Sequence, residues 1–141
     1  NTKKCGAIAR AAKWGIPHCR VAHKDEDQMI KLFEAYRVDL IILAGYMRVL
    51  KNPSAFHCPI INVHPSLLPK YKGLHAVEQA MEAGDSVTGC TVHYVNEELD
   101  GGEIIMQGEV PIMPDDDVES LTKAIQRKEY AILPTVIDSL G

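Results

Sequence analysis

The chain has 141 residues, of which 46% are hydrophobic, 24% charged and 6% aromatic. This balance is typical of one compact globular domain and excludes a fibrous or an intrinsically disordered chain. The formal net charge of −4 at pH 7 disfavours nucleic-acid binding as the main activity, because neutralising phosphates requires a basic surface.

The N-terminal part of the sequence predicts two helices and two strands. Alanine and basic residues favour a helix over 7–14, which the Gly-Ile-Pro sequence at 15–17 ends. A short strand is expected at 18–22. Apolar residues at helical spacing predict a second helix over 25–37. The segment 39–44, which is continuously apolar from residue 40, predicts a strand buried on both faces, as in a parallel sheet covered by helices.

The middle of the sequence predicts a strand, a loop and a helix. A second apolar run at 59–63 reads as a strand, and His64 follows at its carboxyl end. Prolines predict a loop over 65–72. Apolar residues at helical spacing then predict a helix over 74–81, with Gly84 as its C-terminal cap.

The C-terminal part predicts a hairpin followed by a long helix. Two β-rich segments, 87–95 and 103–113, flank the Asp-Gly-Gly turn at 100–102, which favours an antiparallel hairpin. Asp116 and Glu119 have the spacing of a capping box that opens the last helix. Pro134 is expected to kink or end that helix.

These elements predict an α/β fold. We expect a Rossmann-like, mostly parallel sheet with helices on both faces, an antiparallel hairpin in the C-terminal half, and a single domain over residues 1–141.

Cysteine use and hydropathy indicate a cytoplasmic protein. No C-x-x-C pair occurs, so we expect reduced thiols at Cys5, Cys19, Cys58 and Cys90. The longest apolar stretch, 40–44, is far shorter than the roughly 20 residues of a membrane span. We therefore expect no membrane role.

Two polar residues at a strand end could carry acyl-transfer chemistry. Asn62 and His64 are two residues apart, so in a strand they share one face. An amide donor beside an imidazolium can stabilise an oxyanion. Asp100 could orient the histidine and favour its charged form. Alternatively, Asn62 and His64 only satisfy backbone groups, and Asp100 only makes the hairpin turn.

The other polar features are less specific. Arg48 could bind a carboxylate or a carbonyl, or lie on the surface. The charged segment 126–129 could simply be a solvated helix face. The remaining histidines have no metal-ligand spacing, so we expect structural or surface roles for His18, His23, His57, His75 and His93.

Four segments together resemble the formyltetrahydrofolate-dependent formyltransferases: Ala-Gly-Tyr-Met-Arg-Val-Leu at 44–50, Ile-Asn-Val-His-Pro-Ser-Leu-Leu-Pro-Lys-Tyr at 61–71, Thr-Gly-Cys-Thr-Val-His-Tyr-Val at 88–95 and Glu-Leu-Asp-Gly-Gly at 98–102. The resemblance covers nearly the whole chain. It is greatest for the branch that formylates glycinamide ribonucleotide. Deformylases of the same fold typically carry His-His-Ser where this chain has His-Pro-Ser at 64–66.

The resemblance implies formyl transfer from 10-formyltetrahydrofolate to the amine of glycinamide ribonucleotide, without a metal. Asn62, His64 and Asp100 match the family's catalytic trio. The folate-binding segments correspond to Met47, Arg48, Val49, Leu50, Asn62, Asn96, Glu97, Glu98, Leu99 and Asp100. The segment that contacts the ribonucleotide corresponds to Gln126, Arg127, Lys128 and Glu129.

The resemblance also implies a first strand and a phosphate-binding loop before Asn1, and a monomer or homodimer acting on small molecules. Lys24 is a weak match to an arginine that some relatives place near the folate. Two other hypotheses stay open. One is a deformylase on the same fold, in which water replaces the amine, and the other is a folate-binding module without activity.

Overall fold

The structure, a computed structural model, describes residues 6–22 and 25–141. The residues Cys5, His23 and Lys24 therefore lie outside the described residues. The chain forms two compact units, and the division between them falls after Val38. Each unit is described by itself below.

The first unit contains both predicted helices. Helix α1 spans Gly6–Lys13 and helix α2 spans Glu26–Ala35. The Asp25 carboxylate caps α2 by accepting the backbone N–H of Gln28 at 2.9 Å. The predicted strand at 18–22 is wrong, since this segment has no regular structure. All of its side chains except that of Val21 are exposed, so no buried apolar face stabilises a strand there.

The second unit is built on a four-stranded mixed sheet in the order β1-β2-β3-β4. Strands β1 and β2 are parallel, whereas the β2–β3 and β3–β4 pairs are antiparallel. The strands span Ile41–Ala44, Ile60–His64, Val87–Tyr94 and Ile104–Pro111. The α/β class and the C-terminal hairpin are confirmed, and one of the three strand pairs in the described sheet is parallel.

Strand β1 is less buried than its apolar sequence predicts. Ile41 is buried and Leu43 half-buried, but Ile42 and Ala44 are exposed. Helix α4, Val118–Leu140, packs chiefly against β3 and β4 and so covers little of β1. The prediction of burial on both faces is therefore wrong for this strand.

Two apolar clusters hold the helices on the sheet. Helix α3 spans Ala76–Glu82, so Leu74 precedes the helix that was predicted to include it. One cluster joins α3, α4 and the hairpin through Val77, Cys90, Val110, Leu121 and Ile125. The other joins the C-terminal part of α4 to β2 and β3 through Ile61, Val63, Val92 and Val136.

The start of α4 differs from the prediction by one residue. Asp117, not Asp116, is the N-cap, and it forms a capping box with Ser120. Asp116 instead accepts the backbone N–H of Met113 at 2.9 Å, which closes the preceding turn. Glu119 forms an ion pair with Lys123.

Pro134 does not end α4, which continues to Leu140. A proline inside a helix removes one hydrogen bond and costs about 3 kcal/mol. Val136, two residues later, is fully buried against β2 and β3. We infer that this packing offsets the cost of the proline and keeps the C-terminal turns in place.

Gly89 of β3 is expected not to tolerate a side chain. A Cβ atom there would lie 2.0 Å from the Gly108 carbonyl oxygen, and neither backbone can move without breaking the β3–β4 pairing. Gly89→Ala should lower the free energy of unfolding by about 3 kcal/mol or more in chemical denaturation. Gly84→Ala is the comparison: its Cβ meets open space at φ +68°, and the left-handed backbone alone should cost about 1 kcal/mol. An equal loss of unfolding free energy in Gly89→Ala and Gly84→Ala would contradict this explanation.

Candidate active site

A cavity of about 510 Å³ opens at the carboxyl ends of β1 and β2. This is where ligands bind in open α/β sheets, because loops diverge there and leave a crevice. The connection after β1, the end of β2, and the loops that follow β2 and β3 form its walls. Its volume lies in the range of small-molecule sites.

His64 and Asp100 meet at the wall of this cavity. His64 ends β2 and is buried, with its Nδ1 atom 3.4 Å from Asp100 Oδ2. On the other side of the ring, Nε2 donates a hydrogen bond to the Tyr71 carbonyl at 2.8 Å. An imidazolium carries a proton on both nitrogens and so suits both acceptors, whereas a neutral ring would turn one lone pair towards an oxygen.

Asp100 is held as a carboxylate. Burial would raise its pKa, but hydrogen bonds from His93 and from the Gly73 N–H, together with the charges of His64 and His93, hold the pKa below its usual range. The Gly73 N–H lies 2.8 Å from Oδ2. Asp100 is therefore charged at neutral pH, and its charge faces His64.

Asn62 is oriented by a second histidine. In the antiparallel register Asn62 pairs with His93 of β3, and Asn62 Nδ2 lies 3.3 Å from His93 Nε2. His93 Nδ1 lies 2.8 Å from the Tyr94 carbonyl, so Nδ1 carries a proton, while Nε2 faces both the Asn62 amide and the Asp100 carboxylate. The second N–H of the Asn62 amide then remains for a group in the cavity.

His93 is the residue of this cluster that sequence reasoning missed. It is 2% exposed, and its Nε2 also lies 3.6 Å from Asp100 Oδ1. Only the register that places His93 opposite Asn62 identifies it, and the hairpin pattern alone does not supply that register. Tyr71 and Gly73, which bind through backbone atoms, carry no side-chain signal for these contacts.

The structure brings most of the predicted folate-binding residues to one cavity. Its walls include Met47, Arg48, Val49, Leu50, Asn62, Asn96, Glu98, Leu99 and Asp100. Glu97 is not among the described lining residues, and its carboxylate accepts a hydrogen bond from Ser54 at 3.3 Å. Met47 and Val49 are exposed, so the connection after β1 offers an apolar surface to a flat ring.

The predicted ribonucleotide-binding segment lies on α4. Gln126, Arg127, Lys128 and Glu129 do not line this cavity within residues 39–141. Gln126 and Arg127 are exposed, while the Lys128 stem packs over Gly108 of β4. Burial raises the pKa of Glu129 to about 7, so this carboxyl group is partly protonated near neutral pH.

The raised pKa of Glu129 predicts that the stability of the protein depends on pH. Because its folded-state pKa lies above the ordinary 4.5, stability should fall as pH rises from about 4.5 to about 7. Glu129→Gln should be more stable than the wild type at pH 8, by up to about 3 kcal/mol, and equal to it at pH 4. Denaturation at both pH values checks this. Glu82→Gln, on the exposed end of α3, is the control, and a pH-independent difference for Glu129→Gln would contradict the shift.

The two cysteines of the second unit are poor nucleophiles. Cys90 is fully buried, and burial followed by the charge of Glu129 raises its pKa to about 11. Burial also raises the pKa of Cys58. A thiol that stays protonated at neutral pH reacts slowly, so neither side chain suits covalent catalysis.

Two further features were searched for in the part of the chain that the structure describes. There, no three His, Cys, Asp or Glu side chains are placed together to hold a metal ion. None of its helices is long and apolar enough to cross a membrane.

Known proteins resemble this chain over nearly its whole length. Residues 2–137 match the model of the formyl transferase family. The phosphoribosylglycinamide formyltransferase of Haemophilus influenzae is 48% identical over 92% of this chain and 66% of its own length. The trifunctional purine biosynthetic protein adenosine-3 of Drosophila melanogaster is 46% identical over 94% of this chain. The chain spans about two thirds of the former relative and 10% of the latter.

Two of the solved structures that resemble this chain carry the same enzyme name as the Haemophilus influenzae relative. Phosphoribosylglycinamide formyltransferase from Anaplasma phagocytophilum superposes with a TM-score of 0.91 and 42% identity, covering 96% of this chain and 68% of that one. The Streptococcus pneumoniae enzyme of the same name also gives a TM-score of 0.91, with 32% identity over 99% of this chain and 82% of that one. The chain therefore belongs to the formyl transferase family, and within it to the phosphoribosylglycinamide formyltransferases.

Proposed function

We propose that this protein transfers the formyl group of 10-formyltetrahydrofolate to the amine of glycinamide ribonucleotide in purine biosynthesis. The proposal depends on one arrangement above all: Asn62, His64 and Asp100 converge on the wall of one cavity, with His64 Nδ1 3.4 Å from the Asp100 carboxylate. Family membership supports the same reaction.

Asn62 and His64 are the groups that would stabilise the developing charge. As the amine nitrogen bonds to the formyl carbon, the carbonyl oxygen becomes an oxyanion. The free N–H of Asn62 can donate to that oxygen, and the positive charge of His64 stabilises it through space. Both groups are held in advance by His93 and by the Tyr71 carbonyl, so little reorganisation is required.

Asp100 keeps His64 charged and oriented, and breakdown of the intermediate completes the exchange. The bond between the formyl carbon and the folate nitrogen breaks, and the proton lost by the attacking amine goes to that departing nitrogen. No covalent bond to the protein forms. The protonated cysteines of the second unit agree with this route.

We assign the two substrates to two different parts of the second unit. The apolar side chains at 47–50 and the loop at 96–100 would hold the folate. The segment 126–129 of α4 would contact the ribonucleotide, and Glu129, protonated in part, can donate to or accept from a hydroxyl. We also propose that residues 1–141 belong to one formyltransferase domain, since the family match extends across both units.

Release of tetrahydrofolate tests the proposal. The protein is incubated with 10-formyltetrahydrofolate, with and without glycinamide ribonucleotide. Release only in the presence of the ribonucleotide supports transfer. Release without it would instead indicate a deformylase, and folate binding without release would indicate a module that lacks activity.

A further inference from the structure

The backbone of Tyr71 supports the His64 ring from the side opposite Asp100. The Tyr71 carbonyl accepts the hydrogen bond of His64 Nε2 at 2.8 Å. To direct its carbonyl there, Tyr71 adopts a φ of 56°. This left-handed conformation costs a bulky residue about 1–3 kcal/mol and persists only where neighbouring groups hold it. The contacts of the Tyr71 side chain therefore bear on the position of His64.

Asp85 supplies such a contact. The Tyr71 hydroxyl donates to Asp85 Oδ2 at 2.8 Å, and the Lys70 ammonium lies 3.0 Å from the same oxygen. Hydrogen bonds from Lys70 and from Tyr71 lower the pKa of Asp85, so the acceptor is charged at neutral pH. Asp85 follows α3, where its own N–H binds the Ala80 carbonyl at 3.2 Å, so the acceptor is fixed to the scaffold.

Neither Tyr71 nor Asp85 belongs to the walls of the cavity in the second unit as described. Their connection to the site is the chain of contacts from Asp85 through the Tyr71 hydroxyl and carbonyl to His64. An effect of these two side chains on the reaction would therefore be exerted through the histidine.

We propose that Asp85 is a positioning residue for formyl transfer, which holds the Tyr71 carbonyl against His64 Nε2 and thereby fixes the imidazole that faces the reacting group. This inference rests on the proposed function. If the contact is lost, Tyr71 can relax towards an ordinary backbone conformation, and the ring loses the acceptor that sets its orientation.

Four variants separate this role from simple stabilisation of the loop. Tyr71→Phe removes only the hydroxyl, and Asp85→Ala removes the acceptor. Asp85→Asn keeps an acceptor oxygen for the hydroxyl without the charge. Lys70→Met, at a side chain that is 60% exposed, removes the ion pair with Asp85 and the ammonium that lies 5.8 Å from the centre of the Tyr71 ring, but keeps the contact between the Tyr71 hydroxyl and Asp85, and so serves as the matched control.

We expect a split between the variants in steady-state kinetics of the intact protein. Tyr71→Phe and Asp85→Ala should each lower kcat about tenfold, the scale of a displaced catalytic group, with an unchanged KM for the formyl donor. Asp85→Asn and Lys70→Met should keep the wild-type kcat. The double variant Tyr71→Phe/Asp85→Ala should be no slower than either single variant, because both substitutions remove the same contact, between the Tyr71 hydroxyl and Asp85. Wild-type kcat in Tyr71→Phe would overturn the proposal.

NMR of the His64 side chain provides a readout independent of turnover. In the substrate-free protein the Nε2–H proton should show a slowly exchanging, hydrogen-bonded resonance. That resonance should broaden or shift in Tyr71→Phe and Asp85→Ala and persist in Asp85→Asn and Lys70→Met. An unchanged resonance in Tyr71→Phe would overturn the positioning role. If the wild type transfers no formyl group, the proposed function fails, while this spectrum still decides the role of Asp85.

Discussion

Replacing His64 with alanine is expected to lower kcat for formyl transfer by about 100-fold or more. The substitution removes the imidazole at the wall of the cavity, which lies 3.4 Å from the Asp100 carboxylate. The apolar side chains at 47–50 that line the cavity are untouched. Binding of the formyl donor, measured by titration calorimetry, should therefore change little.

His57→Ala is the matched control for His64→Ala. His57 is exposed and is not among the described lining residues of the cavity, so its replacement should leave kcat unchanged. Because His64 is 4% exposed, thermal unfolding of both variants is needed to show that His64→Ala remains folded at the assay temperature. A folded His64→Ala variant with wild-type turnover would contradict the catalytic role of His64.

Asp100→Asn is expected to lower kcat to a similar degree, about 100-fold or more. Asparagine has nearly the same shape and keeps an oxygen for the Gly73 N–H, which lies 2.8 Å from the carboxylate. It removes the negative charge that favours the imidazolium of His64. The loss should therefore appear in kcat, while the fold and the affinity for the formyl donor are kept.

Glu103→Gln serves as the control for the loss of a carboxylate. Glu103 is exposed just after the same loop and should tolerate the change at full activity. Because Asp100 is charged well below neutral pH, the defect of Asp100→Asn should be present across the neutral range. A variant that recovers wild-type kcat at any pH between 6 and 8 would show that the charge is dispensable.

The sequence was enough to predict that Asn62 and His64 lie together at the end of a strand, for a physical reason. Asn62 and His64 are two residues apart, so they share one face of a strand, and they lie at its carboxyl end. Both features follow from strand geometry alone. The resemblance to the family favoured a catalytic role for Asp100 over a purely structural one and added the residues of the cavity wall at 47–50. Helices α1, α2 and α4 also followed from local patterns, because helix-favouring composition and apolar spacing are encoded within a few residues.

The features that escaped prediction depend on contacts between distant segments. His93 joins the site through its register with Asn62, which pattern alone does not supply. The Tyr71 carbonyl reaches His64 because of an unusual φ, and a backbone acceptor has no side-chain signature. Pro134 lies inside α4, and we attribute this to the packing of Val136, which offsets the unfavourable helix propensity of proline. Each of these three features is set by contacts between segments that are distant in the sequence.

The fate of the formyl carbon is the most direct test of the proposed reaction. The protein is supplied with 10-formyltetrahydrofolate labelled with carbon-13 at the formyl group, together with glycinamide ribonucleotide, and the products are followed by NMR. We predict that the label appears in the formamide of the ribonucleotide product at the rate of tetrahydrofolate release, and that both rates fall together in His64→Ala. Label recovered as free formate, with none in the ribonucleotide, would contradict formyl transfer by this protein.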